Sequence, residues 1–321
     1  MSRYPRILAA FLAEPWAIEP TKLEAIVEFL ELQAAGVKFD EDQIEARIGG
    51  ARMNATARKA GSVAVIPIVG VISHRVPMLS AVSGGGGTSS QQLSRQLRAA
   101  LDDDSVKAIV LDVDSPGGAV VGTDELSAEI FEARGRKPII ASVNGAAASA
   151  AYWIASAAEE VVASPTSQVG SIGVIATHVD QSKADEIEGV KRTFITAGRF
   201  KAEGNPHEPL SDEARETLQE TVDAYYDMFV RAVARNRGVT PAAVKSDFGE
   251  GRMLRAELAR KAGMVDRIET LSETLARLGV GGSPASGVRT TSERAEDERP
   301  EPTAAQPLDL LRRRVAIARI D

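Results

Sequence analysis

Residues 138–156 read PIIASVNGAAASAAYWIAS, and this stretch combines the pattern of a buried strand with that of a closely packed helix. The apolar run 138–143 predicts a strand, and the small residues after it predict a helix over about 147–157. Ser149 falls in the first turn of that helix, where free N–H groups and the positive end of the helix dipole favour a developing oxyanion. The hydroxyl is therefore a candidate nucleophile, although a small residue in a helix that only packs on the sheet explains the same pattern.

The rest of the chain alternates between strand and helix patterns. Apolar runs predict further strands at 63–72, 106–113, 160–163, 172–176 and 190–195. Amphipathic patterns predict helices at 89–101, 123–134 and 179–188, and a long helix at 211–237. Such alternation indicates crossover units and a mostly parallel sheet, so the predicted fold class is α/β.

Three regions differ in composition. Residues 1–61 are interpreted as an N-terminal helical extension and linker, with a capping-box pattern at Thr21 and Glu24 and a helix that ends at Gly36. Residues 62–280 form the predicted main domain. Residues 281–321 are rich in Ser, Pro, Glu and Arg, which predicts a disordered tail that ends in a short amphipathic segment.

Composition excludes several classes of function. The 321 residues include no cysteine, so disulfides, thiolate metal sites and thiol nucleophiles are excluded. A net charge of -7 argues against a nucleic-acid-binding protein, which needs clustered Lys and Arg. The apolar stretch 7–13 is far shorter than the roughly 20 residues that cross a bilayer, and it lacks the features of a secretory signal. These features predict a cytoplasmic protein without a membrane span.

A serine nucleophile needs oxyanion donors and a base. The turn DSPGGAV, residues 114–120, follows a predicted strand, and its paired glycines expose backbone N–H groups. The candidate bases are His74, His178, His207 and Lys201. Lys201 lies in the glycine-bounded loop TAGRFKAEGNP (196–206), and a lysine acts as a base only where its surroundings favour the neutral amine.

Six segments, in one order, resemble the S49 family of serine peptidases, to which bacterial signal peptide peptidase A belongs. They are VAVIPIVGVI, VKAIVLDVDSPGG, PIIASVNGAAASAAYWIAS, SPTSQVGSIGVI, FITAGRFKA and GRMLRAELARKAGMVD, and they cover about residues 62–270. The resemblance implies a Clp protease/crotonase-like spiral of ββα units. It also implies a Ser-Lys dyad that requires no metal and no other cofactor.

The resemblance assigns roles to single residues. Ser149 matches the family nucleophile and Lys201 the base, both within one subunit. The oxyanion hole is implied to use the N–H of Gly117 or Gly118 together with that of Ala150, which stands where many members have glycine. Ser171 is a further candidate, because its hydroxyl could orient the lysine.

The helical extension, the glycine-rich segment SGGGG (83–87) and the predicted tail resemble the tailed-phage branch of the family, the capsid maturation or prohead proteases. This resemblance implies protein substrates (scaffold, capsid or portal protein), a homo-oligomer, and a location in the host cytoplasm or the procapsid interior.

Four alternatives stay open at this point. His178 could replace Lys201 as the base, as in Clp-like relatives. An acyl-CoA enzyme of the crotonase type would share the oxyanion hole, but no acid/base Glu can be placed beside the glycine turn 114–120 or the turn that begins at Asn144 and Gly145. The chain could be a cellular protease of the signal peptide peptidase type, or a catalytically inert capsid assembly or scaffolding protein.

Overall fold

The computed structural model describes residue 8 and residues 11–12, 14–39, 57–75 and 87–280. The strands are β1 (Trp16–Ile18), β2 (Arg58–Ala60), β3 (Val63–Val69), β4 (Val71–Ser73), β5 (Gly87–Ser89), β6 (Ala108–Ser115), β7 (Gly117–Ala119), β8 (Ile139–Ala148), β9 (Glu160–Ala163), β10 (Gln168–Gly170), β11 (Met253–Arg255) and β12 (Arg267–Ile268). The helices are α1 (Pro20–Ala34), α2 (Ser90–Asp102), α3 (Thr123–Glu132), α4 (Ala150–Ala155), α5 (Ser182–Ile187), α6 (Asp212–Arg237), α7 (Pro241–Asp247), α8 (Ala256–Ala262) and α9 (Leu271–Arg277).

The larger sheet has the strand order β11-β10-β8-β6-β3-β2, and β9 pairs with both β8 and β12. Neighbours among β3, β6, β8, β9 and β10 run parallel. The connections from β3 to β6 and from β6 to β8 contain α2 and α3, respectively. The predicted α/β fold with mostly parallel strands is confirmed, whereas the spiral arrangement stays a prediction.

A second sheet has the order β1-β7-β4-β5. The predicted single strand 63–72 is in fact β3 and β4, one in each sheet. Gly70 separates them with a φ of 67°, a left-handed conformation that glycine adopts without strain. The chain therefore turns out of the larger sheet at this residue and enters the smaller one.

Alternating residues of the central strands face two apolar layers. Ile109 and Leu111 of β6 belong to the larger core cluster, while Val110 between them belongs to a smaller cluster that α9 covers. Trp153 of α4 stacks on Phe229 of α6, with ring centroids 4.3 Å apart and an interplanar angle of 7°. This contact fixes the short helix after β8 against the long helix.

One predicted boundary and two predicted strands are wrong. Strand β8 continues to Ala148 and α4 begins only at Ala150, because residues 146–148 pair with β10. Residues 190–195 form no strand; they are exposed, and no strand in the described part of the chain pairs with them. Residues 172–176 form no regular strand either, and their only assigned pairing is an isolated antiparallel bridge between Ile175 and Trp16.

The predicted helix of the N-terminal extension is confirmed as α1. Its start differs, because Glu19 is the N-cap residue and Pro20 the first helical residue, so no capping box forms at Thr21. β2 lies within the predicted linker. The predicted tail and most of the glycine-rich segment lie outside the described residues, and the predicted domain boundaries stay a prediction. None of the helices in the described part of the chain is long and apolar enough to cross a membrane.

Candidate active site

Ser149 lies between the end of β8 and the first residue of α4. Its backbone has a φ of 52° and a ψ of -117°, a conformation that costs a non-glycine residue about 1–3 kcal/mol. The neighbouring structure holds this conformation, because Ser149 N–H donates to Gly170 O at 2.7 Å and Ser149 O accepts from Trp153 N–H at 2.9 Å. Strain of this kind at a strand-to-helix turn is typical of a presented nucleophile.

The Ser149 side chain is buried, and its Oγ donates to the main-chain oxygen of Gly173 at 3.3 Å. A carbonyl oxygen orients a hydroxyl but does not take its proton at neutral pH. No hydrogen bond joins Ser149 Oγ to Lys201 Nζ within the described residues.

The glycine turn after β6 lies beside this serine. A Cβ built on Gly117 would come within 2.9 Å of Ala148 O, the carbonyl just before Ser149. Gly117 N–H donates to Ser115 Oγ at 3.2 Å, and Gly118 pairs with Ala17 of β1. Ala150 is the first residue of α4, so its N–H has no acceptor within the helix. The predicted oxyanion donors therefore cluster near Ser149, but Gly117 and Gly118 are engaged in this state.

Close backbone packing requires glycine at position 118. A Cβ there would lie 1.9 Å from Ile72 O, far inside any permitted contact. This close approach holds β7 against β4 and thereby sets the position of the turn. Gly118 therefore has a structural role and is also a candidate donor of the oxyanion hole.

Ser171 directly follows β10, which pairs with β8 on the side away from β6 and its glycine turn. It follows Gly170, whose carbonyl accepts the Ser149 N–H, and it has a φ of 54°. Ser171 N–H donates to Arg252 O at 2.9 Å. The structure thus brings Ser171 near the candidate nucleophile.

Lys201 is placed differently. Its side chain is exposed, and its N–H donates to Gly198 O at 3.1 Å within a turn. Every residue from 186 to 201 is exposed, including the large apolar side chains of Ile187, Ile195 and Phe200. Within the single chain, nothing described covers the candidate base.

The three histidines lie in separate places. His178 lines a cavity of about 520 Å³ with Arg215 and Leu218 of α6, and its buried Nε2 has no hydrogen-bond partner. His207 Nδ1 contacts Asp185 Oδ2 at 2.7 Å, and His74 Nδ1 contacts Ser90 Oγ at 3.3 Å. Ser149 is not among the residues that line the His178 cavity.

Two titratable groups near the site, Tyr152 and Asp112, have shifted pKa values. Burial raises the pKa of Tyr152, three residues after Ser149, and its hydroxyl donates to Met264 O at 3.0 Å. The phenol is therefore neutral and structural. Burial also raises the pKa of Asp112 on β6, although the hydrogen bond from Asn144 opposes this effect. Among the described residues, no group of three or more His, Asp or Glu side chains could hold a metal ion.

Sequence reasoning missed two features of the site. The first is the Gly173 carbonyl, a main-chain acceptor that no side-chain pattern reveals. The second is β1, whose three residues lie between β7 and residue 175. Only the pairing of distant segments creates this strand, so the local signal for it is weak.

Comparison with known proteins gives one family match. Residues 132–281 match the sequence profile of Peptidase family S49. This range contains Ser149, Ser171 and Lys201, whereas Gly117 and Gly118 precede it.

Relatives come from phages and from cells. The chain is 31% identical over 283 residues to the Head-tail preconnector protein GP5 of Enterobacteria phage P21, and the alignment covers 84% of this chain and 56% of that protein. It is 32% identical over 248 residues to the Capsid assembly protease C of Escherichia phage lambda, covering 76% and 56%. It is 32% identical over 179 residues to the Putative signal peptide peptidase SppA of Enterococcus faecium, covering 56% and 52%. The chain thus spans about half the length of these relatives.

Proposed function

Residues 132–281 are a peptidase family S49 domain, and from this premise we propose that the chain is a serine endopeptidase with Ser149 as its nucleophile and Lys201 as its base. One observation carries the proposal. Ser149 is a buried serine in a strained conformation at a strand-to-helix turn, beside the glycine turn of β7.

The reaction proceeds in two stages. The neutral Lys201 amine takes the proton of Ser149 Oγ while this oxygen attacks the carbonyl carbon of a peptide bond. The N–H groups of Ala150 and of Gly117 or Gly118 stabilise the resulting oxyanion, and loss of one such donor typically costs about 3–4 kcal/mol. The ammonium then protonates the leaving amine, which departs as the acyl-enzyme forms. Water hydrolyses this ester, and Lys201 again accepts and returns the proton.

The exposure of Lys201 bears on how the base is formed. An ammonium group loses its proton near neutral pH only where burial or another cation disfavours the charge. Because residues 186–201 expose several large apolar side chains, we propose that a second copy of the chain covers this segment in a homo-oligomer. Burial by the second copy would exclude water from Lys201. The first half of α6 is also mostly exposed and could take part in the contact.

The proposed substrates are proteins of a phage head, namely scaffold, capsid or portal protein. Support comes from the relatives whose names are Capsid assembly protease C and Head-tail preconnector protein GP5. Such an enzyme would act in the host cytoplasm or inside the procapsid.

A second candidate function is a cellular peptidase of the signal peptide peptidase type. The similarity to the Putative signal peptide peptidase SppA of Enterococcus faecium favours it. A third candidate is an inert assembly protein, in which the peptidase domain only binds other head proteins.

One experiment separates these functions. The purified chain is incubated with the capsid, scaffold and portal proteins of its own source and, separately, with synthetic signal peptides, and fragments are identified by mass spectrometry. We expect cleavage of a head protein by the wild type and none by Ser149→Ala. Cleavage of signal peptides alone favours the second function. The absence of cleavage by the wild type, with binding retained, favours the third.

The base is tested by two matched variants. We expect Lys201→Ala to lose cleavage and His178→Ala to retain it. Lys191→Ala, another exposed lysine of the same segment, serves as the control for a general change of charge. Cleavage that survives in Lys201→Ala contradicts the dyad.

A further inference from the structure

Strand β1 lies between two segments that flank the candidate nucleophile. On one side, Trp16, Ala17 and Ile18 pair antiparallel with Ala119, Gly118 and Gly117 of β7. On the other side, Trp16 and Ile175 exchange two backbone hydrogen bonds, each 2.8 Å long. Glu19 N–H also donates to Pro116 O at 2.8 Å. The chain thus holds one of its own segments as an extended strand between these two segments.

The partners of β1 lie close to Ser149. Ile18 pairs with Gly117, a predicted oxyanion residue. On the other side, Trp16 forms an isolated antiparallel bridge with Ile175, two residues after Gly173 in the chain. Gly173 O is the atom that accepts the Ser149 hydroxyl. Strand β1 therefore lies between Gly117, which is close to Ala148 O, and the segment whose Gly173 O accepts the Ser149 hydroxyl.

The contacts of β1 are as close as those of a bound peptide. Its three residues are at most 4% exposed. Ala17 O lies so near Gly117 that a Cβ on this glycine would be 2.3 Å away from it. Ala17 belongs to the main core cluster, whereas Trp16 and Ile18 belong to the cluster formed with α1. A small residue thus faces the domain that carries Ser149.

Extended peptides commonly bind enzymes by adding a strand to an open sheet edge, since the main-chain hydrogen bonds give affinity. One edge of β7 is of this kind and pairs with β1, and Trp16 of β1 also forms a bridge with Ile175. We infer that β1 occupies the peptide-binding cleft of this enzyme as an internal competitor of the substrate. The inference rests on the proposed peptidase function and adds a closed state to it.

The side chain of Trp16 makes contacts that hold β1 in place. Its ring stacks on Phe11 with centroids 4.2 Å apart, and its Nε1–H donates to Phe11 O at 2.8 Å. A substrate strand can pair with β7 only after these contacts break. The apparent affinity for substrate is therefore the intrinsic affinity multiplied by the fraction of molecules in which β1 is withdrawn. Withdrawal of β1, by a partner protein or by cleavage of the segment, would activate the enzyme.

A reversible disulfide tests the inference in the full chain. Because the chain has no cysteine, Trp16→Cys combined with Ala119→Cys creates a single pair at two positions that face each other in register. Oxidation locks β1 onto β7, and reduction leaves the strand without its tryptophan. In a Ser149→Ala background, the probe is a fluorescein-labelled peptide of the sequence EPWAIEP, residues 14–20. We expect the reduced form to bind this peptide at least about tenfold more tightly than the oxidised form.

The same variant with Ser149 intact is assayed for cleavage of labelled casein, so that the two proposals fail differently. Equal peptide affinity in both redox states overturns the inference, whatever the cleavage rate. Redox-dependent peptide binding without cleavage in either state supports the inference about the cleft and overturns the peptidase function. The single variants Trp16→Cys and Ala119→Cys control for the effect of the redox reagents.

A second variant covers the case in which the disulfide does not form. Trp16→Ala loosens β1, and we expect it to bind the probe more tightly than the wild type in the Ser149→Ala background. Phe248→Leu, a change in the main core away from β1, controls for general destabilisation. Unchanged or weaker binding by Trp16→Ala in a folded protein overturns the inference.

Discussion

Ser149 Oγ donates its hydrogen bond to the main-chain oxygen of Gly173, 3.3 Å away. The hydroxyl of the proposed nucleophile is thus held by an acceptor that cannot act as its base. In the proposed mechanism, the hydroxyl has to turn from this carbonyl towards the amine of Lys201. In the proposed account this arrangement is a resting state, in which β1 occupies the cleft and the proposed base is still exposed.

Backbone strain at Ser149 gives the first prediction. Because its φ is 52°, glycine fits this position without strain and alanine does not. We expect both Ser149→Gly and Ser149→Ala to abolish cleavage, but Ser149→Gly to be more stable than Ser149→Ala by about 1 kcal/mol. Urea unfolding of the two variants measures the difference. An alanine variant as stable as the glycine variant would contradict the strained conformation.

The close contact between Gly118 and Ile72 gives the second prediction. Gly118→Ala places a methyl group 1.9 Å from a backbone oxygen, so β7 must shift. We expect a loss of stability of about 2–3 kcal/mol together with a loss of cleavage. Gly173→Ala is the matched control, since a Cβ there meets nothing within 4 Å, and its stability should be within about 0.5 kcal/mol of the wild type. Thermal unfolding that shows equal stability for the two variants would refute the packing argument.

The ion pair between Asp266 and Arg237 gives a prediction about pH. Burial acts to raise the pKa of Asp266, but hydrogen bonds from Arg237 and from Val161 N–H outweigh it and lower the pKa below its ordinary value. A carboxyl with a lowered native pKa adds stability above its unfolded pKa of about 3.9 and loses it as the pH falls through the native pKa.

We therefore expect Asp266→Asn to be less stable than the wild type by about 1.5 kcal/mol at pH 7, with a gap that narrows below about pH 4. The expected difference in stability is modest because the Asp266 carboxylate is more than a third exposed, so that water screens its charge. Asp227→Asn, which removes an exposed pair with Lys245, should have a much smaller effect. A gap for Asp266→Asn that stays constant from pH 7 to pH 3 would contradict the role of the charge.

Ile195 gives the prediction about assembly. Its side chain is 97% exposed in the segment that carries Lys201, so a charge at this position should not affect folding of the single chain. We expect Ile195→Asp to dissociate the oligomer and to lower cleavage at least about tenfold, because the proposed base then stays open to water. Leu258→Asp introduces the same charge on α8 and should change neither property. Analytical ultracentrifugation measures assembly, and a wild-type chain that is monomeric yet fully active would rule out the shared contact.

Periodic elements could be predicted from the sequence, whereas elements that depend on a distant partner could not. The long helix α6 begins after Ser211 and ends before Gly238, as its pattern predicts, because capping and apolar spacing are local properties. The predicted end of β8 is too early, because alanine and glycine residues do not distinguish a strand from a helix. Pairing with β10 is what extends this strand. The resemblance proposes roles for Ser149 and Lys201, and these roles stay predictions; the exposure of Lys201 depends on contacts that a sequence pattern does not report.

The most direct test of the central claim is the identification of the nucleophile by a covalent probe. The wild-type chain and Lys201→Ala are incubated with a fluorophosphonate, and the modified residue is located by peptide mass spectrometry. The account predicts one adduct, on Ser149 Oγ, that forms much more slowly in Lys201→Ala. An adduct on another residue, or an equal rate of modification of Ser149 without the lysine, would contradict it.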